Sequence, residues 1–199
     1  MSEHFFAAVK GRRTIYGLSK ETTISDERIC EIVADAVKHT PSAFNSQSAR
    51  VVVLLGKHHD KLWDITKETL KKIVPPDNFP PTEAKINSFQ ASYGSVLFFE
   101  DMAIIENLQN QFTAYKDNFP MFSQHASGML QFVVWTALES EGLGASLQHY
   151  SPLIDEDVKR AWSIPGKWKL IAQMPFGKPT EQPGEKAFHP LEERLKIYK

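Results

Sequence analysis

The spacing of apolar residues along the chain predicts a series of amphipathic helices. A first helix begins around Phe5 and is expected to stop near Gly11. A second begins after Ser25, a suitable N-cap residue, and its apolar residues recur every three or four positions to about His39. The same periodicity predicts further helices over 58–74, 82–91, 102–112 and about 122–141.

Apolar runs bounded by turn residues or charges predict four strands: Val51–Leu55, Ser95–Phe99, Leu143–Leu147 and Trp168–Met174. The first two are continuous aliphatic or aromatic runs, which indicates strands buried on both faces. Proline pairs at 75–76 and 80–81 are expected to bracket a loop, because proline lacks an N–H and disfavours helix before itself. These elements predict an α+β fold with segregated helices and a small sheet, over one domain spanning 1–199.

The segment from about Phe122 to Glu141 is apolar on nearly every side of a helical projection. We therefore expect a central helix with almost no solvent-facing side, ended by Gly142 in a left-handed conformation. In a chain of 199 residues, one side of such a helix is expected to pack against a second subunit.

Composition narrows the class of protein. The 23 basic and 24 acidic residues nearly cancel, which argues against nucleic acid or an anionic membrane as partner. The chain has no predicted targeting segment or spanning helix, so we expect a soluble, cytoplasmic protein. The single cysteine, Cys30, cannot form an internal disulfide, and its place beside Ile29 and Val33 predicts a buried, inert thiol.

Two segments carry candidate chemistry: Gly11-Arg12-Arg13-Thr14-Ile15-Tyr16 and Pro41-Ser42-Ala43-Phe44-Asn45-Ser46-Gln47. Taken alone, the first could be a solvated arginine pair and the second a polar turn. In this order and separation they resemble the nitroreductase family of FMN-dependent oxidoreductases, and in particular the subgroup labelled nitroreductase-like oxidoreductase or fatty-acid-repression-type protein. The resemblance implies a nitroreductase-like fold with a small central mixed sheet and a homodimer that shares the FMN site between subunits.

The resemblance also implies roles for the first segment. Arg12 and Thr14 correspond to FMN ligands, and Arg13 to a neighbour that contributes chiefly through its backbone. An arginine fork can bind a phosphate in a bidentate manner. Tyr16 stands where many members have a lysine or arginine, so the positive charge that neutralises reduced flavin is absent at that position. The resemblance therefore does not define the redox potential of the flavin.

In the second segment, the resemblance assigns Ser42 and Asn45 as hydrogen-bonding groups that approach FMN across the dimer interface, with Phe44 as apolar cover. Ser46 and Gln47 are expected to hold the loop to its own backbone. The cofactor-binding residues expected from this segment are Pro41, Ser42, Ala43, Phe44, Asn45 and Gln47.

Further segments complete the expected site. By resemblance, Gln148-His149-Tyr150 places a backbone N–H, that of His149, near flavin N5. The imidazole of His149 could act as a general acid or only shape the pocket. Near the end of the chain, Gly177 and Lys186 are candidate cofactor ligands and Lys178 is a weaker one, while Phe188 replaces a second basic residue.

Other chemistries fit poorly, since the chain has neither a G-x-G-x-x-G segment after a strand nor a P-loop, and His58-His59 lacks zinc-site spacing. We expect an FMN oxidoreductase that takes hydride from NADH or NADPH and reduces nitroaromatics, quinones or similar electrophiles by a ping-pong mechanism, with no metal. Two alternatives stay open: a reductase of another activated metabolite, and a flavin-binding regulatory or sensing protein with little turnover.

Overall fold

The computed structural model describes residues 2–199, and within them it has seven α-helices and five strands. The helices are α1 Ser2–Gly11, α2 Asp26–His39, α3 Lys57–Lys71, α4 Phe79–Gln90, α5 Met102–Gln111, α6 Phe119–Ser140 and α7 Asp155–Trp162. The strands are β1 Leu18–Ser19, β2 Ala49–Leu55, β3 Gly94–Asp101, β4 Gly144–Ala145 and β5 Trp168–Pro179. The predicted α+β class is therefore confirmed.

The strands form one sheet in the order β1-β5-β3-β2, with β4 paired to β5 on the same edge as β1. Every pairing between these strands is antiparallel, so the sheet is antiparallel and not mixed as the resemblance implied. An isolated parallel bridge pairs Thr14 with Ala145, and the Ile15 N–H donates to the Ala145 carbonyl at 3.0 Å. This bridge fixes the segment after α1 against β4.

Helices cover both faces of the sheet, and β3 passes between the two resulting cores. Val96 and Phe98 contribute to the core beneath α2 and α6. Leu97 and Phe99 contribute to the core beneath α3, α4 and α7. Because successive strand residues point to opposite faces, a strand between two helical layers is apolar throughout, which confirms the expectation for β3.

Strand β2 departs from the expectation of burial on both faces. Only Leu54 of this strand is buried, and the other residues are partly exposed. β2 lies at the edge of the sheet, where its outer side has no neighbouring strand. An apolar run therefore does not distinguish a central strand from an edge strand.

Local capping explains where the helices begin, and it corrects two predictions. The Ser25 hydroxyl accepts the Arg28 N–H at 3.2 Å and starts α2, as predicted. Cys30 on that helix is exposed, not buried, because it lies off the stripe formed by Ile29, Ile32, Val33 and Ala36. The proline pair at 80–81 lies in the first turn of α4, where a missing N–H is tolerated, and not in a loop.

Helix α6 has a buried apolar face and also exposes apolar residues, contrary to the expected near-absence of a solvent-facing side. Leu130, Val134 and Leu138 are buried in the core. The opposite face exposes large apolar side chains: Met121, Met129, Phe132 and Val133. Gly142 ends the helix with φ of 84°, and the Leu143 N–H donates to the Leu138 carbonyl at 3.1 Å, as in a Schellman cap.

Candidate functional site

Two neighbouring cavities lie along α6, and Gly128 and Gln131 line both of them. The first, of about 430 Å³, is lined by Arg12, Thr14, Gly128, Gln131, Phe132, Trp135 and Leu147. The second, of about 380 Å³, is lined by Gln124, Gly128, Gln131, His149, Ser151, Lys169, Leu170 and Ile171. We refer to the pair as the α6 trough. It brings together three of the predicted site residues, Arg12, Thr14 and His149.

Arg12 is held over an aromatic ring at one end of the α6 trough. Its guanidinium carbon lies 4.4 Å from the centre of the Trp135 ring. Stacking on an indole face leaves the edge of the guanidinium plane, with its N–H donors, open to an anion. Thr14 follows on the same short segment and adds a hydroxyl to the lining. This end of the trough therefore has the donors that a phosphate requires.

Glu139 connects the Arg12 segment to α6. One carboxylate oxygen accepts the backbone N–H of Arg13 at 2.6 Å, and the other accepts the indole N–H of Trp135 at 3.3 Å. Burial raises the pKa of Glu139 to about 7, against the lowering effect of these hydrogen bonds. The same carboxyl thus fixes both the segment that carries Arg12 and the ring on which Arg12 stacks.

The side chain of Arg13 turns away from the trough. Its Nη2 donates to the Gly184 carbonyl at 2.6 Å and so binds the segment that follows β5. The same segment contacts Gly17, whose N–H donates to Glu181 Oε1 at 2.8 Å. Lys186, two residues beyond Gly184, is exposed, and its Nζ lies 5.3 Å from the Phe188 ring centre. The described contacts do not bring Lys186 into the α6 trough.

At the other end, Gln148 fixes the backbone that presents His149. Gln148 exchanges both backbone hydrogen bonds with Gln173 of β5, at 2.7 and 2.9 Å. Because N–H groups alternate in direction along an antiparallel strand, the N–H of His149 points away from β5. The neighbouring Tyr150 N–H donates to the Gln173 side chain at 2.9 Å. The His149 side chain is exposed and lines the trough.

Three other candidates lie elsewhere. The Tyr150 ring packs 6.1 Å from Trp63 in the second core, and burial raises the pKa of its phenol to about 12. Gly177 is buried in β5, and a Cβ there would lie 2.4 Å from the Ser19 carbonyl oxygen, so the close approach of β1 requires glycine. Tyr16 is 54% exposed and lines neither cavity of the trough.

The loop 41–47 has a backbone that few residues adopt. Phe44, Asn45 and Gln47 have φ values of 56°, 49° and 47°, in the left-handed region. This region costs about 1 kcal/mol or more for each residue that is not glycine. Local hydrogen bonds hold the turn: the Ser42 hydroxyl accepts the Gln47 N–H at 2.9 Å, and Arg50 donates to the Gln47 carbonyl at 2.8 Å. Conformations of this kind concentrate at functional sites.

Phe44 packs on this loop against two exposed aromatic rings, Phe112 and Tyr115, and against the buried ring of Phe119. Its ring centre lies 4.9 Å from that of Phe112, 5.3 Å from Phe119 and 6.1 Å from Tyr115. Phe44 is nevertheless 52% exposed. The loop thus presents an aromatic surface to its surroundings.

Within one chain, the loop and the trough remain apart. Pro41, Ser42 and Gln47 line a separate cavity of about 190 Å³, against Ala126 and Leu130 of α6. That cavity shares no lining residue with the α6 trough. The two predicted motifs therefore lie on different sides of the same helix.

Comparisons with known proteins identify the family. The sequence profile of the Nitroreductase family matches residues 9–178. The chain belongs to the nitroreductase family. The Saccharomyces cerevisiae protein HBN1 is 39% identical over 188 residues, which are 92% of each chain, and nitroreductase FRM2 of the same yeast is 36% identical over 190 residues, 93% of each.

A solved structure of a nitroreductase confirms the fold. Nitroreductase CinD from Lactococcus lactis is 43% identical and superposes with a TM-score of 0.90, covering 98% of this chain and 100% of its own. The predicted nitroreductase-like fold is thus confirmed, and family membership makes the protein an oxidoreductase of the nitroreductase type. In the part of the chain that the structure describes, no helix is both long and apolar enough to cross a membrane.

Sequence reasoning missed several residues of this nitroreductase site. Trp135 and Glu139 were counted as parts of an apolar helix and not as partners of the Arg12 segment. Glu139 had a usable signal: it is the only charged residue between Phe119 and Ser140. A carboxylate near a helix C-terminus opposes the helix dipole and so indicates a specific partner. Lys169 and Gln131 gave no comparable signal.

Proposed function

We propose that the protein is a homodimeric FMN oxidoreductase that takes hydride from NADH or NADPH and reduces nitroaromatics, quinones or similar electrophiles. One observation carries the proposal: the α6 trough is lined by a guanidinium stacked on Trp135 and by Thr14 in one cavity, and by His149 in the other. FMN supplies the ability to accept a hydride and to deliver its electrons to a second substrate. The proposal treats residues 1–199 as one FMN-binding domain, in the cytoplasm.

In this proposal Arg12 and Thr14 bind the phosphate. The Trp135 ring 4.4 Å from the guanidinium carbon fixes the position of Arg12 before the ligand arrives, so less side-chain freedom is lost on binding. Arg13 contributes through its backbone, whose N–H binds Glu139. In this arrangement the guanidinium of Arg12 would bind the phosphate, and Arg13 would stabilise the conformation of the segment.

At the His149 end, the backbone N–H would hydrogen-bond the flavin near N5. Its direction is set by the Gln148–Gln173 bridge, so the donor depends on the fold and not on the identity of the side chain. The exposed imidazole of His149 would shape the entrance, since protons for the reduction can come from solvent.

The second half of each site would come from the partner subunit. The loop 41–47 does not reach the trough of its own chain, and it carries exposed Phe44 and Asn45. Helix α6, which separates loop and trough, exposes Met129, Phe132 and Val133. Pairing two α6 helices through this face would cover the apolar residues and bring each loop towards the other chain's trough.

The proposed acceptors take support from a relative. CinD has been solved in complex with 4-nitrophenol and with chloramphenicol. Because the chain has no dinucleotide-binding G-x-G-x-x-G segment, the nicotinamide would bind transiently at the flavin and leave before the acceptor enters. That order of binding gives ping-pong kinetics.

The decisive experiment is spectroscopic. We expect purified protein to be yellow, to release FMN on denaturation in a ratio of one per subunit, and to lose its flavin absorbance on anaerobic addition of NADH or NADPH. A nitroaromatic acceptor should then restore the absorbance. Stoichiometric FAD, or colourless protein that does not take up FMN, would contradict the proposal.

A second candidate function is a flavin-binding sensor with little turnover. Tyr16 favours it, because the phenol brings no positive charge and is 54% exposed outside the trough. Steady-state oxidation of NADH and NADPH, measured with and without a nitroaromatic, separates the two. Continuous turnover identifies the reductase, whereas a single reduction event without further consumption identifies the sensor.

A further inference from the structure

The cavity at the His149 end of the α6 trough is lined by basic residues and, over residues 2–199, by no acidic residue. Its titratable or charged lining residues are His149 and Lys169, and both are exposed. The remaining polar lining comes from Gln124, Gln131 and Ser151. No aspartate or glutamate lines this cavity, so within the described chain it combines a permanent cation with hydrogen-bonding groups.

Lys169 is available for a ligand. Among the described residues, no carboxylate oxygen lies within 4.0 Å of its Nζ. Lys167, two residues earlier, is by contrast paired with both oxygens of Glu106, at 2.8 and 2.9 Å. These two nearby lysines therefore differ: Lys167, just before β5, is paired with a carboxylate, whereas Lys169, in β5, lines the trough without an ion pair to any described residue.

The two carboxylates near Lys169 each accept a serine hydroxyl through one oxygen. Glu100 lies opposite Lys169 in the β3–β5 ladder, and its Oε2 accepts the Ser48 hydroxyl at 2.6 Å. Asp155 Oδ2 accepts the Ser151 hydroxyl at 3.0 Å. Neither carboxylate forms an ion pair with the ammonium.

The two cations of the trough line different cavities. Arg12 stacks on Trp135 in one cavity, whereas Lys169 lines the other cavity together with His149. With the FMN phosphate placed at Arg12 in the proposed function, the ammonium of Lys169 in the second cavity is left for another anion.

We propose that Lys169 binds an anionic group of the electron acceptor, so that the site favours aromatic electrophiles that carry a carboxylate or phenolate. This inference rests on the proposed function, because it assumes that an acceptor enters at the His149 end. Lys169 determines which acceptor binds and takes no part in electron transfer.

The test isolates the acceptor from the nicotinamide. FMN-loaded protein is reduced photochemically without oxygen and mixed rapidly with 4-nitrobenzoate or with the nearly isosteric, neutral 4-nitrobenzamide. In Lys169→Met we expect the apparent Kd for 4-nitrobenzoate to rise about tenfold, as for loss of one charge-assisted contact, with the limiting rate unchanged. The apparent Kd for 4-nitrobenzamide should change less than about twofold.

Two variants control for net charge and for shape. Lys167→Met removes the same charge from a lysine outside the trough and should leave both acceptors unaffected. Lys169→Arg should restore 4-nitrobenzoate binding. An equal loss for both acceptors in Lys169→Met would show that Lys169 acts on the flavin or on packing, and would overturn the inference. The same holds if neither acceptor is affected, or if Lys167→Met matches Lys169→Met.

A binding measurement separates this inference from the proposed function. Benzoate and benzamide are titrated into the oxidised, FMN-loaded protein and followed by the change in flavin absorbance. We expect benzoate to bind more tightly than benzamide, and Lys169→Met to remove the difference. Protein that binds this way without reducing either nitro compound would refute the proposed reductase while supporting the anionic subsite; equal binding of benzoate and benzamide would refute the subsite alone.

Discussion

The Arg12 segment and the loop 41–47 hold the two predicted motifs. They differ in how firmly contacts within the chain hold them and in how exposed their side chains are. The Arg12 segment is fixed by its own chain, through the Arg13 N–H on Glu139 and the bridge of Thr14 to Ala145. The loop keeps a left-handed backbone at three residues and exposes Phe44 and Asn45. The contrast agrees with the proposal that the Arg12 half of the site comes from one chain and the loop half from its partner.

This contrast also explains why α6 is central. One side of the helix lines the trough through Gln131 and Trp135, another lines the loop cavity through Ala126 and Leu130, and the face with Met129 and Val133 is exposed. A single helix therefore relates both motifs to a candidate subunit interface. If the two halves meet only in a dimer, assembly and FMN binding must be coupled.

The strongest expected effect follows from that coupling. Val133→Asp places a charge on the exposed apolar face of α6, where its desolvation in an interface costs several kcal/mol. We expect the dimer to weaken by roughly a hundredfold or more, and FMN to be released together with it. Sizing of the variant by light scattering, with flavin absorbance recorded on the same sample, measures both.

Ile73→Asp is the matched control for this prediction. Ile73 is 56% exposed just beyond the end of α3, away from α6, so the same new charge should leave the dimer and the flavin intact. A monodisperse monomer of the unchanged protein that retains FMN at micromolar concentration would rule out the shared site, and with it the roles proposed for Ser42 and Asn45.

A next prediction distinguishes the two adjacent arginines. Arg12→Ala removes a charge-assisted contact worth on the order of 1.5–3 kcal/mol, so FMN should bind about tenfold to a hundredfold more weakly. Arg13→Ala keeps the backbone N–H that binds Glu139 and loses only the bond to the Gly184 carbonyl, so its effect on FMN should be much smaller. Fluorescence titration of apoprotein with FMN gives both constants. Equal affinities for Arg12→Ala and the parent would refute the phosphate role.

Two carboxyls, the buried Glu100 and the half-buried Glu139, support these regions and make stability depend on pH. Glu139 holds the Arg12 segment, and Glu100 binds Ser48 just after the loop. Burial raises the pKa of each to about 7. A folded-state pKa above the unfolded value means that the folded protein binds more protons, so the free energy of unfolding falls as pH rises from about 4.5 to 7.

Glu100→Gln should remove the part of this fall that comes from Glu100, because an amide has no charge to desolvate. At pH 8 we expect the variant to be more stable than the parent by on the order of 2 kcal/mol, and at pH 4.5 nearly equal to it. Urea unfolding across this range measures the difference. A constant difference at all pH values would mean that Glu100 does not titrate in the folded state.

The sequence predicted those features that depend on local pattern. Amphipathic periodicity and Ser25 were sufficient to place α2, and the apolar run in β3 correctly indicated burial on both faces. Strand order depends on long-range pairing, which a local pattern does not contain, so β2 was wrongly expected to be buried on both sides. The exposure of Cys30 depended on which helical face α2 turns inward, and its neighbours were a poor guide to that.

In the candidate site too, local sequence patterns were predictable and long-range contacts were not. The segments around Arg12 and Ser42 were recognised from residue types, whereas the Trp135 stack and the Glu139 contact join residues more than 120 positions apart. Contacts of that range arise from the packing of α1 on α6 and leave no spacing rule in the sequence. Tyr150 and Gly177 were candidate cofactor ligands because of the motifs that contain them. In the structure Tyr150 packs against Trp63 in the core, and Gly177 packs against β1 in the sheet.

The smallest expected effect concerns Asn45, and it tests whether the loop serves by its backbone or by its side chain. Asn45 has φ of 49°, which glycine adopts freely and alanine does not. If only the loop shape matters, Asn45→Gly should match the parent and Asn45→Ala should weaken FMN binding by a few-fold, for a strain of about 1 kcal/mol. If the amide contacts the partner's flavin, as proposed, both variants should lose affinity, and Asn45→Gly should lose several-fold. Titration of FMN into the two apoproteins, with dimer content matched, decides between these outcomes, and an Asn45→Gly protein that binds FMN like the parent would remove Asn45 from the ligands.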